Sequence, residues 1–86
     1  MLQIKVLGPG CANCKRLEQI TQRAVEQLGL AAEIEKVTDY GEIMGYGVLS
    51  TPGLVINGKV ASYGRIPSPE EVANWLQTAA QGASLS

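Results

Sequence analysis

Histidine is absent from this chain of 86 residues. Without it there can be no Cys-His nucleophile pair, no Ser-His-Asp triad and no zinc finger built from cysteine and histidine. Phenylalanine is also absent, and aromatic residues make up only 5% of the chain. The sequence therefore excludes histidine-based catalysis and predicts a core built mainly from isoleucine, leucine, valine and alanine.

A strong excess of one charge is lacking as well, and so is any long apolar segment. Seven basic and eight acidic residues give a formal net charge of −1, which argues against nucleic acid or an anionic membrane as the main partner. Lys5 interrupts the first apolar run, and no segment resembles a signal peptide or a membrane span. We therefore expect a cytoplasmic protein. In that compartment, two closely spaced cysteines are more often catalytic or metal-binding than a permanent crosslink.

The hydrophobic pattern alternates between the periods of strands and helices. Strands are predicted over Leu2–Leu7 and Ala32–Val37, and in a hairpin over residues 53–60 whose turn is Asn57-Gly58. Helices are predicted over Ala12–Leu28, from Asp39 through Met44, and after the capping residue Ser68, where Pro69 and Glu71 complete the start signal.

The resulting order is β-α-β-(α)-β-β-α, which predicts an α/β fold with a four-stranded mixed sheet flanked by helices. The first two strands are joined through a helix and should be parallel, whereas the last two should form an antiparallel hairpin. A chain of 86 residues suffices for one small domain and is too short for two. We expect that domain over residues 1–82, with residues 83–86 as a short flexible tail.

The only two cysteines, Cys11 and Cys14, are separated by two residues where the first predicted strand gives way to the first helix. Such a pair serves either as a reversible dithiol/disulfide or as half of a metal site. The position favours redox chemistry, because the unpaired N–H groups and the positive helix end stabilise a thiolate at Cys11. Binding of Cu(I) or zinc by the same cysteines is the alternative, and a partner-binding domain with a purely structural disulfide is a third reading.

A second motif, Tyr46-Gly47-Val48-Leu49-Ser50-Thr51-Pro52, precedes the third predicted strand. Together with Cys-x-x-Cys at the first strand-helix junction, it resembles the thioredoxin/glutaredoxin fold over roughly Leu2 to Ala80. The small size and the Gly8-Pro9-Gly10 lead into the cysteines are most similar to the short redox-active disulfide proteins of archaea and bacteria. The resemblance implies a thioredoxin-like fold and thiol-disulfide oxidoreductase activity without a cofactor.

The resemblance also implies roles for the site residues. Cys11 would attack a substrate disulfide, and Cys14 would resolve the mixed disulfide that forms. The Thr51–Pro52 peptide bond would be cis and lie beside the cysteines, leaving the Thr51 backbone free to pair with an extended substrate segment. The implied partners are protein disulfide substrates and a reductase or low-molecular-weight thiol, and the protein is expected to be a monomer.

The proton acceptor for Cys14 and the role of Lys15 each allow more than one interpretation. The buried acid of thioredoxins, counted back from the first cysteine, falls at Lys5, and no carboxylate on the first strand replaces it. Proton transfer at Cys14 would then rely on water, on Lys5 or on another group. Lys15, next to Arg16 in the first helical turn, either lowers the pKa of the Cys11 thiol, attracts an anionic partner, or is a solvated cation that reaches Glu18.

Overall fold

The structure, a computed structural model, describes residues 1–82. Its elements are, in chain order, β1 (Leu2–Leu7), α1 (Ala12–Leu28), β2 (Ala32–Val37), α2 (Tyr40–Gly45), β3 (Gly53–Ile56), β4 (Lys59–Tyr63) and α3 (Pro69–Ala80). The order is the predicted one, and the hairpin's second strand continues to Tyr63, beyond its predicted end. The predicted tail, residues 83–86, lies outside the described residues.

The four strands form one mixed sheet in the order β2-β1-β3-β4. β1 pairs in parallel with β2, from Leu2 opposite Ala32 to Leu7 opposite Val37. The β1–β3 and β3–β4 pairs are antiparallel. The predicted fold class, a four-stranded mixed sheet flanked by helices, is therefore confirmed.

Different helices cover the two faces of the sheet. α1 and α3 pack on one face, where Leu17, Leu54 and Leu76 belong to the larger core cluster. α2 covers the other face, where Ile43 packs in a smaller cluster with Leu7. Because α1 lies against β1, its first turn is held close to the end of that strand.

Local signals in the sequence determine where the elements begin and turn. The Ser68 hydroxyl accepts a hydrogen bond from the Glu71 N–H at 3.2 Å, and the Glu71 carboxylate accepts one from the Ser68 N–H at 3.0 Å. Asn57 and Gly58 have φ angles of 51° and 81°, the positive values that a type I′ turn requires. The capping signal and the turn signal thus act at the predicted positions.

The start of α3 also makes stability depend on pH. The Arg65 guanidinium, 2.9 Å from the Glu71 carboxylate, and then the Ser68 N–H lower the pKa of Glu71 from 4.5 to about 2. Because the pKa falls on folding, this carboxylate stabilises the fold above about pH 4.5, and its contribution is lost as the pH falls through about 2. We expect Glu71→Gln to lower the free energy of unfolding at neutral pH and to flatten its decline in acid, as measured by urea denaturation.

Glu70→Gln is the matched control for this prediction. Glu70 lies in the same helical turn and is exposed. Its side chain makes no hydrogen bond within the described part of the chain. An equal loss of stability in both variants would mean that general helix-dipole effects, and not the Arg65 and Ser68 contacts, account for the acid dependence.

Candidate active site

β1 and α1 place the two cysteines at their junction. β1 ends at Leu7, and Cys11 is the N-cap of α1. Cys11 and Cys14 form a disulfide, with their Cα atoms 5.0 Å apart. Cys11 is exposed, whereas Cys14 is only 5% exposed. The two residues therefore differ in burial.

The environment of the Cys11 sulfur favours negative charge. Its Sγ atom accepts a hydrogen bond from the Cys14 N–H at 3.2 Å. The first turn of α1 contains no acidic residue. An N–H donor and the positive end of the helix dipole both stabilise a thiolate relative to a thiol. The arrangement thus suits Cys11 to carry negative charge once the disulfide is reduced.

Gly8 belongs to the site, although its sequence context indicates only a break after the first strand. A Cβ atom at this position would overlap the Cys14 Sγ atom and would lie 3.8 Å from the Cβ of Thr51. The Gly8 N–H donates to the Val37 carbonyl at 2.9 Å, which ties this backbone to the end of β2. Gly8 therefore provides the space that the Cys14 sulfur occupies.

The loop before β3 brings Thr51 close to Gly8 and Cys14 and ends at Pro52. The Thr51–Pro52 peptide bond is cis, as the sequence predicts. Pro52 is buried, and its carbonyl accepts a hydrogen bond from the Gly64 N–H at 3.0 Å. Thr51 is half-buried near Gly8 and Cys14, and no group within residues 1–82 hydrogen-bonds to its main chain. Its backbone is therefore open to a partner.

The Lys5 ammonium is engaged by Tyr46 and Glu35. It donates to the Tyr46 hydroxyl at 3.0 Å and lies 3.8 Å from the Glu35 carboxylate. The hydrogen bond with Tyr46 raises the pKa of Lys5 above its ordinary value. Lys5 is consequently protonated at neutral pH and is poorly suited to accept a proton from Cys14.

A small cavity of about 90 Å³ lies beside Cys14. Its lining includes Cys14, Glu18, Lys36 and Thr38. The Glu18 carboxylate, whose side chain is 23% exposed, lies 3.7 Å from the Lys36 ammonium. Of the readings left open for Lys15, an ion pair with Glu18 is not formed within residues 1–82, because β2 presents Lys36 to this carboxylate instead.

Lys15 is exposed and also lines the Cys14 cavity, and with Arg16 and Arg23 it lines a groove along the outer face of α1. Its effect on the Cys11 thiol stays a prediction. On the other side of the site, an apolar pocket next to Thr51 includes the exposed side chains of Met44 and Leu49. The cysteines are thus flanked by one cationic surface and one apolar surface.

Two features absent from residues 1–82 bear on the other readings of the sequence. Among these residues, no group of three or more cysteine, aspartate and glutamate side chains is arranged to hold a metal ion. No helix in the same range is both long enough and apolar enough to cross a membrane. A four-coordinate zinc site on Cys11 and Cys14 would therefore find no further cysteine or carboxylate ligand among residues 1–82.

Comparisons with known proteins agree with this geometry. Residues 2–77 match the thioredoxin domain family. A thioredoxin from Methanothermobacter thermautotrophicus is 40% identical over 76 residues, which cover 88% of this chain and 99% of the relative. A thioredoxin from Methanocaldococcus jannaschii is 39% identical over 82 residues, which cover 95% of this chain and 94% of the relative.

Proposed function

Because this chain belongs to the thioredoxin family and is a thiol-disulfide oxidoreductase, we propose that Cys11 is the nucleophile of its exchange reaction and Cys14 the resolving thiol. The observation that carries this assignment is the contrast between the two sulfurs. Cys11 is exposed and accepts a hydrogen bond from a helix N–H, whereas Cys14 is buried behind it.

The proposed reaction transfers two electrons from the dithiol to a substrate disulfide. The Cys11 thiolate attacks one substrate sulfur, so that a mixed disulfide forms and the other substrate sulfur leaves as a thiolate. Cys14 then loses its proton and attacks the Cys11 sulfur, which releases the second substrate thiolate and forms the Cys11–Cys14 disulfide. A separate reductant must restore the dithiol before the next cycle.

Proteins are the proposed disulfide substrates. The open main chain of Thr51 can pair with an extended segment that carries the target disulfide, in a short form of strand addition. Leu49 is 90% exposed and Met44 is 69% exposed in the pocket next to Thr51, which gives apolar side chains of such a segment a surface to cover. Pro52 supports this surface from its buried position.

The remaining assignments concern the cellular setting. We propose that the protein acts as a monomer in the cytoplasm, where thiols are kept reduced and a dithiol of this kind is catalytic. Its reductant is a reductase or a low-molecular-weight thiol.

Lys15 acts on the Cys11 thiolate through its positive charge, which is placed in the same first turn of α1.

Site-resolved alkylation tests the assignment of the two sulfurs. We expect iodoacetamide to label Cys11 of the reduced protein first, with a labelling midpoint below the pH of about 8.5 at which a free thiol ionises. Mass spectrometry of the peptides, taken over a pH series, gives the labelling rate of each cysteine. In the reduced and urea-unfolded protein, the control, both cysteines should react alike. Faster labelling of Cys14 in the folded protein would reverse the proposed roles.

A further inference from the structure

Cys14 needs a proton acceptor when it attacks the mixed disulfide, because a thiol is a far weaker nucleophile than its thiolate. Its burial keeps bulk solvent away from the sulfur. Lys5 does not serve, since its ammonium is bound by Tyr46 and Glu35 and its pKa is raised. The acceptor must therefore be reached through the space next to Cys14.

Glu18 is the only carboxylate that lines the cavity beside Cys14, counted over the described residues. It follows Cys14 by four positions on α1, so the two side chains project from the same face about one helical turn apart. The cavity of about 90 Å³ has room for water, which occupies about 30 Å³ per molecule in the liquid. A proton can thus pass from the sulfur through water to the carboxylate.

We propose that Glu18 accepts the proton of Cys14 during resolution of the mixed disulfide and returns it when the Cys11–Cys14 disulfide is reduced. This inference rests on the roles proposed above for the two cysteines. In the forward direction, the Cys14 S–H bond breaks and its proton passes through water to the Glu18 carboxylate. The Cys14 sulfur forms its bond to Cys11, the bond between Cys11 and the substrate breaks, and the electron pair leaves on the substrate thiolate. Glu18 then releases its proton to solvent.

The charges around the cavity suit this role. Lys36 approaches Glu18 from β2 at 3.7 Å, and Lys15 lines the cavity from α1. β1 and the loop after it contribute only Val6 and glycines, and Thr38 adds an uncharged hydroxyl. The Lys36 ammonium helps to hold the carboxylate at the cavity, and the Glu18 side chain is only 23% exposed.

The test follows the two thiols separately in one experiment. Mixing the reduced protein with excess dithiodipyridine, a neutral aromatic disulfide, releases one thiopyridone when Cys11 attacks and a second when Cys14 resolves the mixed disulfide. The first release depends on the reagent concentration and the second does not. We expect Glu18→Gln to leave the first release unchanged and to slow the second by about tenfold or more at neutral pH, a conservative figure for a positioned proton acceptor.

The pH dependence distinguishes proton transfer from a structural effect. The defect of Glu18→Gln should shrink at high pH, where hydroxide can remove the Cys14 proton without a carboxylate. Glu18→Asp should restore part of the rate. Glu26→Gln, an exposed carboxylate on the same helix, should behave as the unmodified protein.

Three results would overturn the inference. The first is an unchanged second release in Glu18→Gln, and the second is a defect that persists equally at all pH values. The third is a second release in Glu18→Asp that is as slow as in Glu18→Gln, since a carboxylate at this position would then not matter. If Glu18→Gln also loses the first release, or if the unmodified protein does not show two separate releases, the proposed cysteine roles fail instead.

Discussion

Replacement of Cys14 by serine is expected to stop the reaction at the mixed disulfide. The exposed Cys11 can still attack a substrate, but the serine hydroxyl at the buried position cannot displace the substrate sulfur. Turnover in a coupled disulfide-reduction assay should fall by roughly 10³-fold or more, as when an essential member of a catalytic set is removed. One equivalent of covalently bound substrate should accumulate and should be visible by mass spectrometry without reductant.

Cys11→Ser is the matched control. This variant should lose turnover to the same extent but should trap no substrate, because the remaining thiol is covered. Trapping of substrate by Cys11→Ser, or failure of Cys14→Ser to trap it, would contradict the assignment of the first attack to Cys11.

Replacement of Gly8 by alanine is expected to disturb the site most among single substitutions outside the cysteines. The new methyl group would overlap the Cys14 sulfur, and the hydrogen bond from Gly8 to Val37 restrains the backbone from moving away. Overpacking of this kind costs about 1–3 kcal/mol. We expect the free energy of unfolding of the oxidised protein, measured with urea, to fall by that amount.

Gly45→Ala provides the comparison for Gly8→Ala. Gly45 lies at the end of α2, and a Cβ atom there would meet no other atom within 4 Å. Its replacement should raise the free energy of unfolding by about 0.4–1 kcal/mol, because alanine restricts the unfolded chain. A Gly8→Ala variant as stable as Gly45→Ala would show that the Cys14 sulfur can shift without cost.

The features that could be predicted from the sequence are those whose causes are local or belong to a recognised motif. Ser68 caps α3 through Glu71, three residues later, and Asp39 caps α2 through Glu42 in the same way. Asn57 and Gly58 are residue types that favour the positive φ angles found at this turn. The cysteine pair and the Thr51–Pro52 motif were recognisable in the same manner, each within one short segment.

The features that could not be predicted depend on which segments the fold brings together. From the sequence, the nearest cation for Glu18 is Lys15 on the same helix, yet the partner in the structure is Lys36, which β2 carries to it. Gly8 shows the same limit. Its importance comes from the Cys14 sulfur and from Val37 on a neighbouring strand, and neither contact leaves a periodic or motif signal around Gly8.

β1 is the first strand in the chain but an inner strand of the sheet, between β2 and β3. On a translating ribosome, it therefore emerges before both of its neighbours. Leu2 can pair once Ala32 has been made, but Ile4 meets Ile56 only when well over half of the chain exists. Until then, the side of β1 that later receives β3 is an unpaired strand edge, open to chaperones and to other nascent chains.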